Sequence, residues 1–464
     1  LDPSFADEQL GNYGLWIDSP CIGAADPVGY PVQDMVGRTR PYPAGSFPDI
    51  GAYENGLGTP QEELCDYLSG TIGPGIYHVV CNIFVAPDSS LRIMPGTTLL
   101  FDSTCSFTIY GTLLAEGNPD SAIIFTSDTS VNADHWHGLQ FLDSTSSGSQ
   151  LAYCLIEKGL ATGDFPEHCG GGVRCSTSAP TFTCCTFRDN SATGSGGAVH
   201  CGYYRSPTFT NCVFSDNVTD ISGGGVYCVY CSSIFTNCTF TGNSAASSGG
   251  GAACAQGSPG FFNTIIAFCE GQGIYFANTW STHVEYCDFF GNTGGAFGGN
   301  SIPGGAGVLA TKNANGDSCD IHMNIFLDPM FGDTAAGDFH LTDYSSCLGA
   351  ADATDPPLVD RDGNPRPNPA SSNPDIGAFE YWLAGAVRHL VISISGGNTV
   401  LNWPPFAATY SIYGSADIGS QGDSLDTVTG VTTWTDVNTA SRPSPYSYSV
   451  TAESPAFHRA GKTE

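Results

Sequence analysis

Between residues 170 and 299 the chain repeats itself, and no other property restricts its fold so strongly. A fixed period makes each repeat one structural unit that can bury its apolar face only against its neighbours. The clearest units read GGGVRCSTSAPTFTCCTFRDN from Gly170, GGAVHCGYYRSPTFTNCVFSDN from Gly196 and GGGVYCVYCSSIFTNCTFTGN from Gly223. Cys175, Cys201, Cys228 and Cys254 recur at steps of 26, 27 and 26 residues. Cys185, Cys212 and Cys238 keep step with them, as do Asn190, Asn217 and Asn243.

Within each unit a Cys-x-Phe alternation (Cys185/Phe187, Cys212/Phe214, Cys238/Phe240, Cys287/Phe289) suits short strands that turn one side inward. Stacked coils would align these side chains into ladders. Thr264 and Ile266 take the Cys and Phe places in one unit, so the position asks for a small-to-medium apolar group rather than for thiol chemistry. The Asn series reads as an amide ladder at a turn, a place where Asn tolerates left-handed backbone.

Composition agrees with a turn-rich, all-β chain: Gly 59, Pro 29 and only 13% charged residues. Lys+Arg of 14 against Asp+Glu of 45 gives a net charge of -31, which repels phosphate backbones and anionic lipid, so nucleic acid is excluded as a partner. The excess carboxylate admits Ca²⁺ as a second reading beside a solvated acidic surface; no other cofactor is implied. The longest apolar runs, Thr97 to Phe101 and Phe261 to Phe268, are too short for a membrane span. Nineteen cysteines exceed what a reducing cytosol favours and point to a secreted or cell-surface protein. Cys228 with Cys231, and Cys169 with Cys175, are near enough in sequence to pair.

Residues Gly70 to Ser127 read GTIGPGIYHVVCNIFVAPDSSLRIMPGTTLLFDSTCSFTIYGTLLAEGNPDSAIIFTSD, with period-two alternation broken by Pro-Gly, Gly-Thr and Asn-Pro turns. This stretch resembles the opening coils of bacterial right-handed parallel β-helix proteins, which share the LxIxPGTxLxF, GTLxAxG and IxFTS patterns. The resemblance implies a solenoid over residues 57–326, a rod on the order of 50 Å long if about ten coils stack at ~4.8 Å. It implies little about function, because that fold carries lyases, hydrolases, adhesins and passive stalks alike.

Residues 1–54 and 327–380 are two gap-free copies of one segment, with 27 identities in 54 positions. Both carry LDPxF, SxCxGAAD, DxxGxxRP and PDIGAxE, and both resemble the closing segment of bacterial surface β-helices. The domain reading is therefore a cap-like segment (1–56), coils (57–326) and a closing cap (327–382). The matched polar residues are Asp26, Asp34, Arg40, Asp49 and Glu54 in the first copy, and Asp352, Asp360, Arg366, Asp375 and Glu380 in the second. One Arg among four carboxylates reads as a buried ion pair fixing an irregular segment; a Ca²⁺ cluster and a catalytic acid pair are the alternatives. A cap copy ahead of the coils suggests head-to-tail self-association into a filament, or a unit cut from a tandem array.

From about Leu383 the Cys and Gly patterns stop. Strand-like alternation with Trp403, Tyr410, Trp434, Tyr446 and Tyr448 argues a small β-sandwich over 383–464, which resembles the fibronectin type III domains of bacterial secreted proteins.

No catalytic constellation emerges. The cations near the coils are Lys158, Arg174, Arg188 and Arg205; Arg174 precedes a ladder cysteine and is expected to point outward. Asn-Thr-Asp, Gly-Asp-Asp, Gly-His-Gly and Arg-Ile-Lys are absent from the sequence. The His135-Trp136-His137-Gly138 run is expected to be a surface turn. Tyr203, Tyr204, Tyr230 and Trp280 fall just after inward positions on successive coils and form a candidate glycan-facing strip. Asn217-Val-Thr and Asn237-Cys-Thr fit the glycosylation sequon. The leading functional reading is a structural, filament-forming surface protein; a glycan-binding adhesin and a polysaccharide-active β-helix enzyme are the alternatives.

Overall fold

A computed structural model describes residues 50–51 and 60–381 apart from 103, 129–134, 369 and 371, plus the backbone of strands at 5–7, 12–15, 391–395, 398–402, 409–415, 423–429, 433–436 and 447–453. The described residues are almost all β, with two 3₁₀ turns and no α-helix among them. They fall into two compact units.

In the first unit the coils form a parallel β-helix, wound in the right-handed sense that parallel crossovers adopt. Each central coil contributes four short strands, and each pairs in parallel with its equivalent in the next coil. Val173–Ser176 pairs with Val199–Gly202, which pairs with Val226–Val229 and so to Ala252–Ala255; this register sets Cys175, Cys201, Cys228 and Cys254 in one row. Thr181–Thr183, Thr208–Thr210 and Ile234–Thr236 align Phe182, Phe209 and Phe235. Thr186–Arg188, Val213–Ser215 and Thr239–Thr241 align Phe187, Phe214 and Phe240. The fourth row is short: Ser191–Ala192, Val218–Thr219 and Ser244–Ala245.

Two phenylalanine columns fill the interior. Phe182–Phe209–Phe235 stack at 4.9 and 4.8 Å with planes within 6° of parallel. Phe187–Phe214–Phe240 stack at 4.7 and 4.3 Å. The columns meet edge to face, as at Phe209–Phe214, 5.7 Å and 64° apart. Strand spacing fixes the repeat at ~4.8 Å, close to the offset-stacking distance of aromatic rings, so identical residues at one register position gain dispersion contact in every coil.

The thiols of the second cysteine row point at backbone. Cys212 Sγ donates to Phe182 O at 3.5 Å and Thr210 O at 3.4 Å, and Cys185 and Cys238 repeat this geometry. Burial pushes the Cys175 and Cys212 thiols up, so they stay protonated fillers of a narrow interior. The amide row is continuous: Asn190 Nδ2 donates to Asn217 Oδ1 at 3.0 Å, and Asn217 Nδ2 to Asn243 Oδ1 at 2.9 Å. The left-handed backbone expected at these asparagines lies one residue earlier, at Asp189 (φ 53°) and Asp216 (φ 56°). A second Asn series, Asn211, Asn237 and Asn263, adopts positive φ itself at the turn before the cysteine row. Glycine is obligatory where coils touch: a Cβ on Gly197 would lie 2.3 Å from Gly224 O, and one on Gly224 2.4 Å from Gly250 O.

Two cysteine pairings suggested by proximity do not form. Cys169, Cys175, Cys228 and Cys231 are free and buried, and among the described residues a disulfide joins Cys65 to Cys81. The bonded pair links strand Pro60–Tyr67 to Gly75–Val85.

The second unit holds residues 261–265, 284–290 and 304 onward. Here Asp288 forms a parallel bridge to Ile325, and the Asn324 side chain donates to Val284 O at 2.8 Å. An antiparallel hairpin, Phe331–Asp333 with Asp338–Leu341, begins the closing segment. That segment docks on Asn263: the Asp352 N–H donates to Asn263 Oδ1 and the Gly377 N–H to Asn263 O, each at 2.8 Å. The C-terminal strands make two three-stranded antiparallel sheets, 391–395/398–402/433–436 and 409–415/423–429/447–453, as a small sandwich requires. Trp403 and Tyr446 lie outside the described residues, as do the side chains of Tyr410, Trp434 and Tyr448.

Candidate functional site

The aromatic strip lies on the outside of the first unit. Tyr203, Tyr204 and Tyr230 sit in the turn that follows the Cys201 and Cys228 strands, all with positive φ (61°, 64° and 52°). Left-handed backbone costs a residue with a Cβ roughly 1–2 kcal/mol, and here it turns the side chain out of the strand row. Tyr204 is 71% exposed and Tyr203 41%, and the Tyr204 and Tyr230 rings lie 5.4 Å apart at 39°. The Tyr204 N–H donates to Tyr230 O, which keeps the two turns in register. Trp280, 67% exposed, donates its N–H to Gly257 O. Tyr203, Tyr204 and Trp280 thus hang exposed on coil-paired turns, while Tyr230 is half-buried against Tyr204.

Beside them a polar row runs through one register position: Gln140, Arg174, His200 and Tyr227. Arg174 occupies the outward side of its strand, yet it is buried rather than solvated, at 4% exposure. Its Nη2 donates to Gln140 Oε1 at 2.8 Å, and Nη1 is 3.9 Å from Glu167 of the adjoining loop. His200 is equally buried, and burial together with the Arg174 charge lowers its pKa to about 4. Arg188 is held by Glu157 at 2.7 Å.

The His-Trp-His run is not a surface turn. Trp136 is fully buried, stacks on Phe101 at 4.1 Å and donates Nε1 to Glu157 O. An indole with one donor satisfied by a coil carbonyl is a core residue, and the flanking histidines are consequences of its insertion. The sequon asparagines Asn217 and Asn237 have no exposed surface, which removes them as glycan acceptors.

In the closing segment the sequence-matched polar residues converge. Arg366 Nε lies 3.4 Å from Glu380 Oε2, and its Nη atoms donate to Asp375 O and Gly377 O. Asp360 accepts from the N–H groups of Asp362, Asn364 and Glu380 at 2.8–2.9 Å. Asp375 accepts from Gly349 N and Tyr381 N, and Glu380 from Asn368 N and Asp375 N. Asp352 accepts from Thr354 N nearer the surface. Burial, then the Asp375 charge, push the Glu380 carboxyl up, and the guanidinium opposes them. These carboxylates stand in for the missing backbone partners of an irregular segment, accepting from its N–H groups. Asp26, Asp34, Arg40, Asp49 and Glu54 of the first copy lie outside the described residues.

Comparison with known proteins adds one match. The model of a repeat described as the Chlamydia polymorphic membrane protein repeat matches residues 185–202 and 237–256. Each matched stretch runs from the Cys-x-Phe strand through the Asn turn and the close-packed glycines to the next Val- or Ala-x-Cys strand, so what is shared is the coil-to-coil stacking apparatus. No curated protein matches the chain. The chain is a β-helix repeat protein.

Proposed function

We propose that this chain is a surface-exposed, adhesin-type scaffold whose coils present Tyr203, Tyr204, Tyr230 and Trp280 to glycans, without turnover. The observation that carries this is the repeat match, to a family named for membrane proteins, on coils whose inward residues are accounted for by stacking while the neighbouring turns expose aromatic faces. Flat aromatic rings on rigid turns suit the apolar faces of sugar rings and lose little entropy on binding. The polar row of Arg174 and His200 lies under a loop and contributes to the scaffold. No helix among the described residues is long and apolar enough to cross a membrane. A glycan array probed with the full chain tests the reading: binding that falls at least tenfold in a Tyr204→Ala/Trp280→Ala variant supports it, and a blank array across acidic and neutral glycans overturns it.

The duplicated segment favours a second property, self-association through the terminal copies. Residues 1–54 carry the same Arg and carboxylates that pin 327–380, so they are equipped to close a coil end. Particle mass measured over a wide concentration range decides it, since a strictly monomeric chain at high concentration excludes a filament.

A further inference from the structure

We propose that His78, Asp102 and Asp128 form a binding site for a first-row divalent transition-metal ion of the Zn²⁺ class. Strands Gly75–Val85, Thr97–Phe101 and Ile123–Ser127 pair in parallel, with Val79 opposite Phe101 and Phe101 opposite Ser127. The ladder continues one residue past the last two strands: the Asp102 N–H donates to Val79 O at 3.0 Å and the Asp128 N–H to Phe101 O at 2.8 Å. Two aspartates therefore occupy one register position on adjacent strands, a place where the fold forces like charges to within a strand spacing of ~4.8 Å. His78, on the third strand, brings its Nδ1 to 3.0 Å from Asp128 Oδ2. One ligand atom from each residue lies within 4.8 Å of the other two. Donors around a Zn²⁺ ion at ~2.0–2.2 Å stand ~3–3.5 Å apart, so side-chain rotation of about an ångström closes the set.

Two further facts favour an ion there. Asp128 is 4% exposed while His78 is 25% exposed, which makes a shielded floor with a solvent-side entrance. The chain is poor in cations, 14 against 45 carboxylates, and has few side chains to spare for neutralising such a cluster. An imidazole nitrogen in the donor set disfavours Ca²⁺ and Mg²⁺, which take oxygen, and suits Zn²⁺ and its neighbours. The bound ion would fasten three strands of adjacent coils at one point and leave coordination positions for water or an external donor.

The test is a Zn²⁺ titration of the full chain after chelator treatment, followed by Co²⁺ substitution. One equivalent bound, weakened at least tenfold in His78→Gln and in the isosteric Asp102→Asn, with Co²⁺ d–d bands and no thiolate charge-transfer band, supports the site. Equal binding by wild type and both variants, a thiolate band that places the ion on cysteine, or preference for Ca²⁺ over Zn²⁺ overturns it. Circular dichroism identifies which variant is folded, and Asp102→Asn, which keeps shape and hydrogen-bonding capacity, carries the test if His78→Gln is not.

Discussion

The central coils and the closing segment meet the same requirement, partners for buried polar groups, by opposite means. In the coils the partner is the identical residue one repeat away: Asn217 bonds Asn190 and Asn243, and Phe209 stacks on Phe182 and Phe235. In the closing segment no residue has an equivalent neighbour, and the backbone is held by Asp360, Asp375 and Glu380 around Arg366. Periodic stacking spreads stabilisation over many equal contacts, as in a one-dimensional array. The irregular segment concentrates it in a few charges whose desolvation is compensated only while the whole set is intact.

Breaking each region at its centre sharpens the difference. Arg366→Met leaves Glu380 without its counter-charge and is expected to cost about 3–5 kcal/mol, read as an early urea transition of the closing segment. Phe209→Ala opens a gap in one aromatic column and is expected to cost about 3–5 kcal/mol at most, with the effect spreading to adjacent coils; a loss confined to one coil by hydrogen exchange would contradict the array picture.

pH separates the two regions in direction. His200 takes its proton near 6.5 when unfolded and near 4 when folded, so the unfolded chain binds more protons between those values. The coils are expected to lose up to about 3 kcal/mol as pH falls through that window, and His200→Gln should flatten the dependence. His340 in the closing segment is shifted the other way, to about 9, by hydrogen bonds to Asp362 (2.6 Å) and Asp338 (2.5 Å). Its contribution is complete below 6.5 and lost as pH rises through 9; half exposed, it is a small term. Asp288, which receives the Cys347 thiol from the closing segment, is raised from 3.8 to about 8 mainly by burial, so the stability linked to its proton falls as pH rises from about 4 to about 8 and changes no further above that. Melts from pH 4 to 10 should therefore fall on the acid side by the coils and on the alkaline side by the closing segment; a shared transition at both ends would remove the distinction. The smallest effect is expected at the surface: Trp280→Ala and Tyr204→Ala should each change stability by about 0.5 kcal/mol or less, because neither side chain fills the interior.

The legible parts of the sequence were those repeated in register. Once Cys175, Cys201, Cys228 and Cys254 are seen to recur, strand pairing and the inward rows follow, because a solenoid gives equal sequence positions equal environments. The exposure of Tyr204 and Trp280 was readable for the same reason. Trp136 was not, since its pocket is made by Phe101 and Glu157 from other coils, and HWHG alone carries no sign of that contact. Arg174 has its outward register set locally, but the loop bearing Glu167 covers it, which spacing along a strand does not reveal. Neither of the two suggested cysteine pairs is bonded, and nearness along the chain does not by itself decide pairing.

Sequence by itself determined the coil architecture, because period and alternation act through local backbone geometry. Tertiary structure alone decided which cysteines bond, which polar residues lie in water and that His78, Asp102 and Asp128 meet. Asp102 and Asp128 lie one coil period of 26 residues apart and repeat one register position; His78, 24 residues before Asp102, follows no repeat of residue type, and only the stacking of unlike coils brings its imidazole to the two carboxylates.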